Sequence, residues 1–374
     1  MNLLMRALGL SMLLLVIGAG GCKPGVTYKS LPAPVIFEGK PRNVILLIGD
    51  GMGLAQASAV IYDTKGPSPL EACPIVGFHK PASLNDLITD SGAGATAFAC
   101  GMKSYLNAIG MDPDTMPCKT ILEEARNRGL ATGVIATSSI VHATPAAFFA
   151  HQPMRTDYEP IAADLVASGM DFFVGGGKKY FDRREMDNRN LLRELELQGY
   201  DVRTYFEEEL QQVRLSHKRK FIYFSADNTP LSVFQGRNYL PYAVSMATRF
   251  LSRRSEEGFF LVVEGSQIDW KCHANNGQEL LLEMHDFMEA TEAALQFAAV
   301  DRRTLVLITG DHETGGLAIE QGSRHRKLNL AFTTNGHTAA LVPVYAFGPG
   351  AETFSGIYEN TEIYHKLMRL LNFE

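Results

Sequence analysis

Of 374 residues only one is tryptophan and five are cysteine, and there is no surplus of basic charge: 35 lysines and arginines stand against 41 acids, a net of −6. Without a basic face the chain is no general nucleic-acid binder. Long apolar runs are also missing. The run from Ala7 to about Ala19 falls short of the roughly 20 residues a membrane-spanning helix needs. No internal repeat points to a repeat array. Ser91, in "LITDSGAGATAFACG", sits among small residues that let a partner approach the backbone. Yet no G-x-S-x-G elbow surrounds it and no S-x-x-K follows it, so neither familiar serine-hydrolase context applies.

What the short apolar run does fit is the h-region of a secretory leader, residues 1–21, with one arginine before it and small residues after it. "AGGC" resembles a bacterial lipoprotein cleavage box, with Ala19 where leucine is usual, which would put a lipid on Cys22. A plain cut near Gly21 is the alternative. Either route exports the chain, to the periplasm or to a lipid anchor on a bacterial membrane, and removing Arg6 makes it one unit more negative. Residues 22–41, rich in proline and lysine, read as a tether, and 42–374 as a single catalytic domain. Cys73, Cys100, Cys118 and Cys272 remain; their even number permits disulfides outside the cytoplasm, but three pairings are open.

From Asn43 onward apolar runs alternate with amphipathic ones, the pattern of an α/β sheet covered by helices. Strands are expected at "NVILLIGD", "ATGVIATSS", "DFFVGGG", "KFIYFSA", "FFLVVEGS", "TLVLITGD" and "LVPVYAFGPG". Helices are expected at "KTILEEARNRG", "YEPIAADLVASG" and "GQELLLEMHDFMEATEAALQFAAV". In the last of these Leu281, Met284, Met288, Leu295 and Ala298 recur at helical spacing, as core packing requires. Lys178 to Tyr239, charged and weakly patterned, reads as a surface excursion containing one buried strand.

The strand ends carry the chemistry. Asp50, Glu264, and Asp311 with His312 close three of these strands, and the fourth, from Ala131, leads to His142 and Thr144. Ligands in mainly parallel sheets bind outside the carboxyl ends of strands, so these donors converge on one edge. In "QIDWKCH", Asp269 and His273 are four apart and share a face if helical; "NGHTA" adds His337. One such acid is usually a turn residue or cap and one such histidine a satisfied polar group, but several independent strand ends bearing donors argue for metal. Asp and His sets suit zinc, and oxygen-rich ones magnesium. His79, His217, His285, His325 and His365 lack that context, and Cys272 reads as a spectator. Two cations about 4 Å apart can stabilise the entering and leaving oxygens of an in-line displacement at phosphorus. A serine hydroxyl bound to one of them needs no histidine base.

"GDGMG", "TDSGAGATA", "HATPA", "VEGSQID", "TGDHETGG" and "NGHTA", in this order from residue 49 to 338, resemble the motifs of the alkaline phosphatases, most closely the compact bacterial members. The resemblance implies a mixed, mostly parallel central sheet between helical layers, a homodimer, and hydrolysis of phosphate monoesters to inorganic phosphate. Ser91 would be the nucleophile that becomes phosphoserine. Asp50, Asp311 and His312 would hold the zinc that activates it, and Asp269, His273 and His337 the second zinc. Asp50, Thr144 and Glu264 would hold magnesium. Arg155 would grip two phosphate oxygens, positioned by Asp90. Trp270 and His142, placed to affect phosphate binding, stand where the best-known bacterial pattern has Lys and Asp; His142 would lie behind the ligands of the third metal. A diesterase or sulfatase on the same sheet, a noncatalytic metal or phosphate binder, and a metal-free serine hydrolase are the rivals. The sulfatase C/S-x-P-x-R context is absent around Ser91.

Overall fold

The computed structural model describes residues 26–29, 37 and 39–373. The leader, Cys22 and most of the tether lie outside the described residues. In chain order the strands are β1 Asn43–Gly49, β2 Ile75–Lys80, β3 Ala131–Ser139, β4 Phe172–Gly176, β5 Tyr200–Thr204, β6 Lys220–Phe224, β7 Phe259–Gly265 and β8 Thr304–Thr309. They continue with β9 Glu313–Thr314, β10 Leu317–Ile319, β11 Leu330–Phe332, β12 His337–Thr338, β13 Val342–Phe347 and β14 Gly356–Glu359. One sheet takes ten of them in the order β14-β2-β13-β8-β1-β7-β3-β4-β6-β5. Only β13 runs against the rest, antiparallel to both β8 and β2.

β1 shows why the sheet forms. All seven residues of "NVILLIG" are buried. Val44, Leu46 and Ile48 enter the core on one face, and Ile45 and Leu47 the core on the other. A continuous Val/Ile/Leu run signals this two-sided burial in a parallel strand. Those five side chains supply on the order of 10 kcal/mol of hydrophobic stabilisation before entropy is charged against them. That margin anchors a strand whose next residue, Asp50, is a buried acid.

Helices Ser91–Cys100, Ile121–Asn127, Tyr158–Ser168 and Glu362–Leu370 cover the first face; Leu54–Asp63, Leu240–Leu251 and Gly277–Asp301 cover the second. In the 25-residue helix Gly277–Asp301, Met284, Met288, Leu295 and Ala298 are buried as their spacing predicts, and Leu281 is half-buried.

The sequence reading of Lys178 to Tyr239 requires correction: the segment holds two strands of the central sheet, β5 and β6, and the helix Leu191–Leu197. β5, "YDVRT", interleaves charged residues because it is the sheet's edge, where one side of the ladder is unpaired. β2 and β14, at the opposite edge, were not expected either; both are partly exposed and short. Cys100 and Cys118 form a disulfide, which selects among the pairings left open, while Cys73 and Cys272 are free and buried.

Candidate active site

The donor-bearing ends belong to four adjacent strands, β8, β1, β7 and β3. Because β13 is reversed, its leading end lies at the same edge, and His337, just before it, arrives there too. The short helix Gln267–His273 follows β7 directly and carries Asp269 and His273.

Ser91 opens the helix Ser91–Cys100, all ten residues of which are buried. Asp90 caps that helix: its carboxylate accepts the Gly92 N–H at 3.2 Å and the Ala93 N–H at 3.1 Å. The same carboxylate accepts the Asn107 N–H at 3.0 Å and pairs with the Arg155 guanidinium at 2.8 Å. Arg155 is also tied by its backbone N–H to the Asn107 carbonyl at 2.8 Å. Burial opposes both charges, but the pairing outweighs it, holding Asp90 below and Arg155 above their ordinary values. The run of small residues has a physical use here. A Cβ on Gly92 would stand 2.9 Å from the Ala108 carbonyl oxygen, so a larger residue would push the nucleophile's helix away.

Three sets of donors converge beside Ser91, each with its ligand atoms within 4.8 Å of one another: Asp50, Asp311 and His312; Asp269, His273 and His337; Asp50, His142 and Glu264. In the first set His312 Nε2 lies 3.5 Å from Asp50 Oδ1, 3.3 Å from Asp311 Oδ2 and 3.4 Å from Ser91 Oγ. In the second, His273 Nε2 is 3.2 Å from Asp269 Oδ2, and His337 Nε2 is 3.5 Å from Asp269 Oδ1. The two Nε2 atoms are themselves 3.2 Å apart. Their Nδ1 atoms face carbonyls, His273 that of Asn335 at 2.5 Å and His337 that of Thr89 at 2.8 Å. An Nδ1–H held this way leaves Nε2 as a lone pair turned inward, the tautomer a metal needs. In the third set Ser138 and Ser266 donate their hydroxyls to Glu264 Oε2. The sequence reading put His142 behind the third donor set; in the structure a ring nitrogen of His142 lies within 4.8 Å of Asp50 and Glu264 donor atoms, and the Thr144 hydroxyl is buried. Trp270 meets the His142 ring edge to face at 5.7 Å.

The inward atoms fit cations. Both oxygens of Asp50, Asp311 Oδ2, Glu264 Oε1, Thr144 Oγ1 and His142 Nδ1 are buried without a protein hydrogen-bond partner. Orphaned acceptors of this kind are costly unless something positive fills the space between them. Burial, then the neighbouring Asp311, Asp269 and Glu264, push the Asp50 carboxyl far above the usual carboxylate range. Burial lifts Glu264 to about 7 and drops His142 to about 3. Asp269, though buried, is held well below its ordinary value by His273 and His337, and its hydrogen bond raises His273 to about 9. Cys272 belongs to none of these sets.

The remaining histidines have structural partners. His79 bonds the Gly310 carbonyl, His285 lies between Tyr28 and Asp63, and His365 meets the Gly101 carbonyl. The sequence reading missed Thr314, Ser138 and Ser266 as supports of the ligands. Thr314 and Ser266 each stand two residues beyond a donor, His312 and Glu264, so a polar residue at that spacing is the one local signal that could have found them.

A family model for alkaline phosphatase matches residues 41–328 and 319–373. Alkaline phosphatase 3 of Bacillus subtilis is 32% identical, over 89% of each chain. The Escherichia coli alkaline phosphatase is 27% identical over 89% of this chain and 86% of its own length. The solved alkaline phosphatase of the Antarctic bacterium TAB5 superposes with a TM-score of 0.84 at 41% identity, covering 90% of this chain and 99% of that one. Two structures of the TAB5 enzyme with one histidine replaced, by glutamate or by aspartate, have magnesium bound in a site called M3. The chain belongs to the alkaline phosphatase family. It is a phosphomonoesterase, a hydrolase with groups of residues fit to hold metal ions.

Proposed function

We propose that this chain hydrolyses phosphate monoesters through a phosphoserine on Ser91, at a centre of two zinc ions and one magnesium ion. One observation carries the reading: Ser91 Oγ stands 3.4 Å from His312 in the first of three donor sets, and carboxylate oxygens of the first and third sets are buried without protein partners. Asp50, Asp311 and His312 would hold the zinc beside the nucleophile, and Asp269, His273 and His337 the other. Asp50, Glu264 and Thr144 would hold magnesium. His142 adds a nitrogen to that third set and favours a softer ion there. Magnesium bound in the M3 site of the two TAB5 variants supports magnesium at a third site in this chain.

When bound, the ions favour the Ser91 alkoxide and neutralise charge on the entering and leaving oxygens. The chain's own residues do the rest. Arg155, held in place by Asp90, presents its fork to two phosphoryl oxygens, and the helix that Ser91 opens favours an anion at its N-terminus. Ser91 Oγ forms the new bond to phosphorus as the ester oxygen departs. Water then attacks the phosphoserine, giving inorganic phosphate and the free hydroxyl. Trp270 and His142 border the place where phosphate sits.

We infer the remaining organisation from the same reading: leader 1–21, tether 22–41, and a catalytic unit 42–374 exported to the periplasm or lipid-anchored through Cys22. No helix among the described residues is long and apolar enough to cross a membrane. A homodimer belongs to the same reading, as the family resemblance implies.

The test is phosphate release from an aryl phosphate by the mature chain before and after chelation, with zinc and magnesium restored, beside Ser91→Ala. Activity lost on chelation, recovered with both ions and severely reduced without Ser91 is the expected result. Chelator-resistant hydrolysis would return the reading to a metal-free serine hydrolase.

A further inference from the structure

Thr314 is where the two zinc-type donor sets meet. Its hydroxyl lies 2.6 Å from Asp269 Oδ1 and 3.2 Å from His312 Nδ1, wholly buried. A hydroxyl has one proton and Asp269 can only accept, so Thr314 donates to Asp269 and receives the His312 Nδ1–H. The chain of two bonds fixes three things together. His312 is held in the tautomer whose Nε2 lone pair faces Asp50 and Asp311. One oxygen of Asp269 is oriented, leaving Oδ2 for the second set. The backbone of Thr314 pairs antiparallel with His337, in register, as β9 with β12. Gly51 shows how closely this is packed: its φ is +74°, and a Cβ there would stand 2.8 Å from Thr314 Oγ1 and 2.9 Å from Asp269 Cα.

We propose that Thr314 is a positioning residue that couples the two zinc sites, so that filling one pre-orients the other and zinc loads cooperatively. A cation on His312 Nε2 strengthens the Nδ1–H donor, which polarises the threonine O–H toward Asp269. Ordering of Asp269 at the second site acts back through the same bonds, since coupling between two binding events is reciprocal. This rests on the two-zinc reading above.

The test removes metal from the mature chain and titrates zinc against a chromophoric chelator, comparing the parent with Thr314→Val, Thr314→Ala and Thr314→Ser. The parent is expected to take up two zinc ions cooperatively. The valine variant keeps the side chain's volume but lacks the hydroxyl, and alanine lacks both, so either one tests the bridge if the other folds poorly; thermal midpoints of the chelated proteins report folding. Both hydroxyl-less variants are expected to bind zinc about 10–100-fold more weakly, with the two events independent of each other, and serine is expected to restore the parental curve. A general packing role would not be rescued by serine and would not selectively abolish cooperativity. Parental affinity and cooperativity in a folded valine or alanine variant would overturn the proposal. A parent that binds no zinc at all would instead overturn the two-zinc reading.

Discussion

Replacing Asp50 by asparagine should make the chelated protein more stable while removing its response to metal. Asp50 is completely buried, neither carboxylate oxygen has a protein donor, and three further acids crowd it. An unpaired charge in such a place costs several kcal/mol. Asparagine removes the charge, and its N–H groups face orphaned acceptors such as Asp311 Oδ2 and Glu264 Oε1. A gain of about 2 kcal/mol is expected for the chelated variant at pH 8, which is about 3–6 °C in thermal midpoint. With zinc and magnesium at a hundredfold excess over Kd, each occupied site adds about 2.7 kcal/mol to the parent; the variant, lacking the acid shared by two sites, should gain much less. The pH dependence follows in sign. Glu264 has a folded value of about 7, above its ordinary 4.5, and Asp50 is raised too. Their contribution is therefore fully present below the unfolded value and lost as pH rises through the folded one. The chelated parent should weaken between pH 4.5 and 8, and the variant less steeply. Thermal unfolding of both proteins, with chelator and with metal, across that range is the assay. A chelated Asp50→Asn protein less stable than its chelated parent at pH 8 would refute the reasoning, as would an undiminished metal response.

Arg155→Ala should raise KM for an aryl phosphate by roughly 10–100-fold, the loss of charge-assisted hydrogen bonds to phosphate, and Arg155→Lys should recover only part of it because the fork is gone; steady-state kinetics decide, and a full recovery by lysine would count against bidentate binding. Trp270→Lys should tighten inhibition by inorganic phosphate, read as a lower inhibition constant; no change would separate Trp270 from phosphate. Reducing the Cys100–Cys118 disulfide, 18 residues apart in sequence, should cost about 3 kcal/mol on the loop-entropy account, measured by denaturant unfolding with and without reductant.

The central strands were legible because they are buried on both faces and so spell uninterrupted apolar runs. β5 and β14 were not, because an edge strand answers to solvent on one side and mixes charge into its pattern; β2, next to the edge, is short and partly exposed. The convergence of donors at strand ends was legible for a related reason: an acid after a run such as "NVILLIG" contrasts with everything before it. His142 was placed behind the third metal, because sequence gives the spacing of a side chain along the chain and not the direction it takes after a turn. Thr314 was invisible for another reason. Its importance lies in contacts with His312, two residues away, and Asp269, 45 residues away, and nothing in the chain order announces the second.

The sharing of Asp50 between two donor sets is a consequence of strand order. Adjacent strands lie about 4.8 Å apart, so donors that directly follow neighbouring strands come within the reach of one ion. β1 lies between β8, which ends in Asp311 and His312, and β7, which ends in Glu264. An acid immediately after β1 is therefore in range of both, whereas one after β8 or β7 reaches only its own side. Beyond β7, β3 brings His142 and Thr144 to the Glu264 side, and beyond β8 the reversed β13 brings His337 to the other. Moving Asp50 to either flanking strand would leave one set short of a carboxylate, which is why its replacement should affect two sites where replacement of Asp311 or Glu264 affects one.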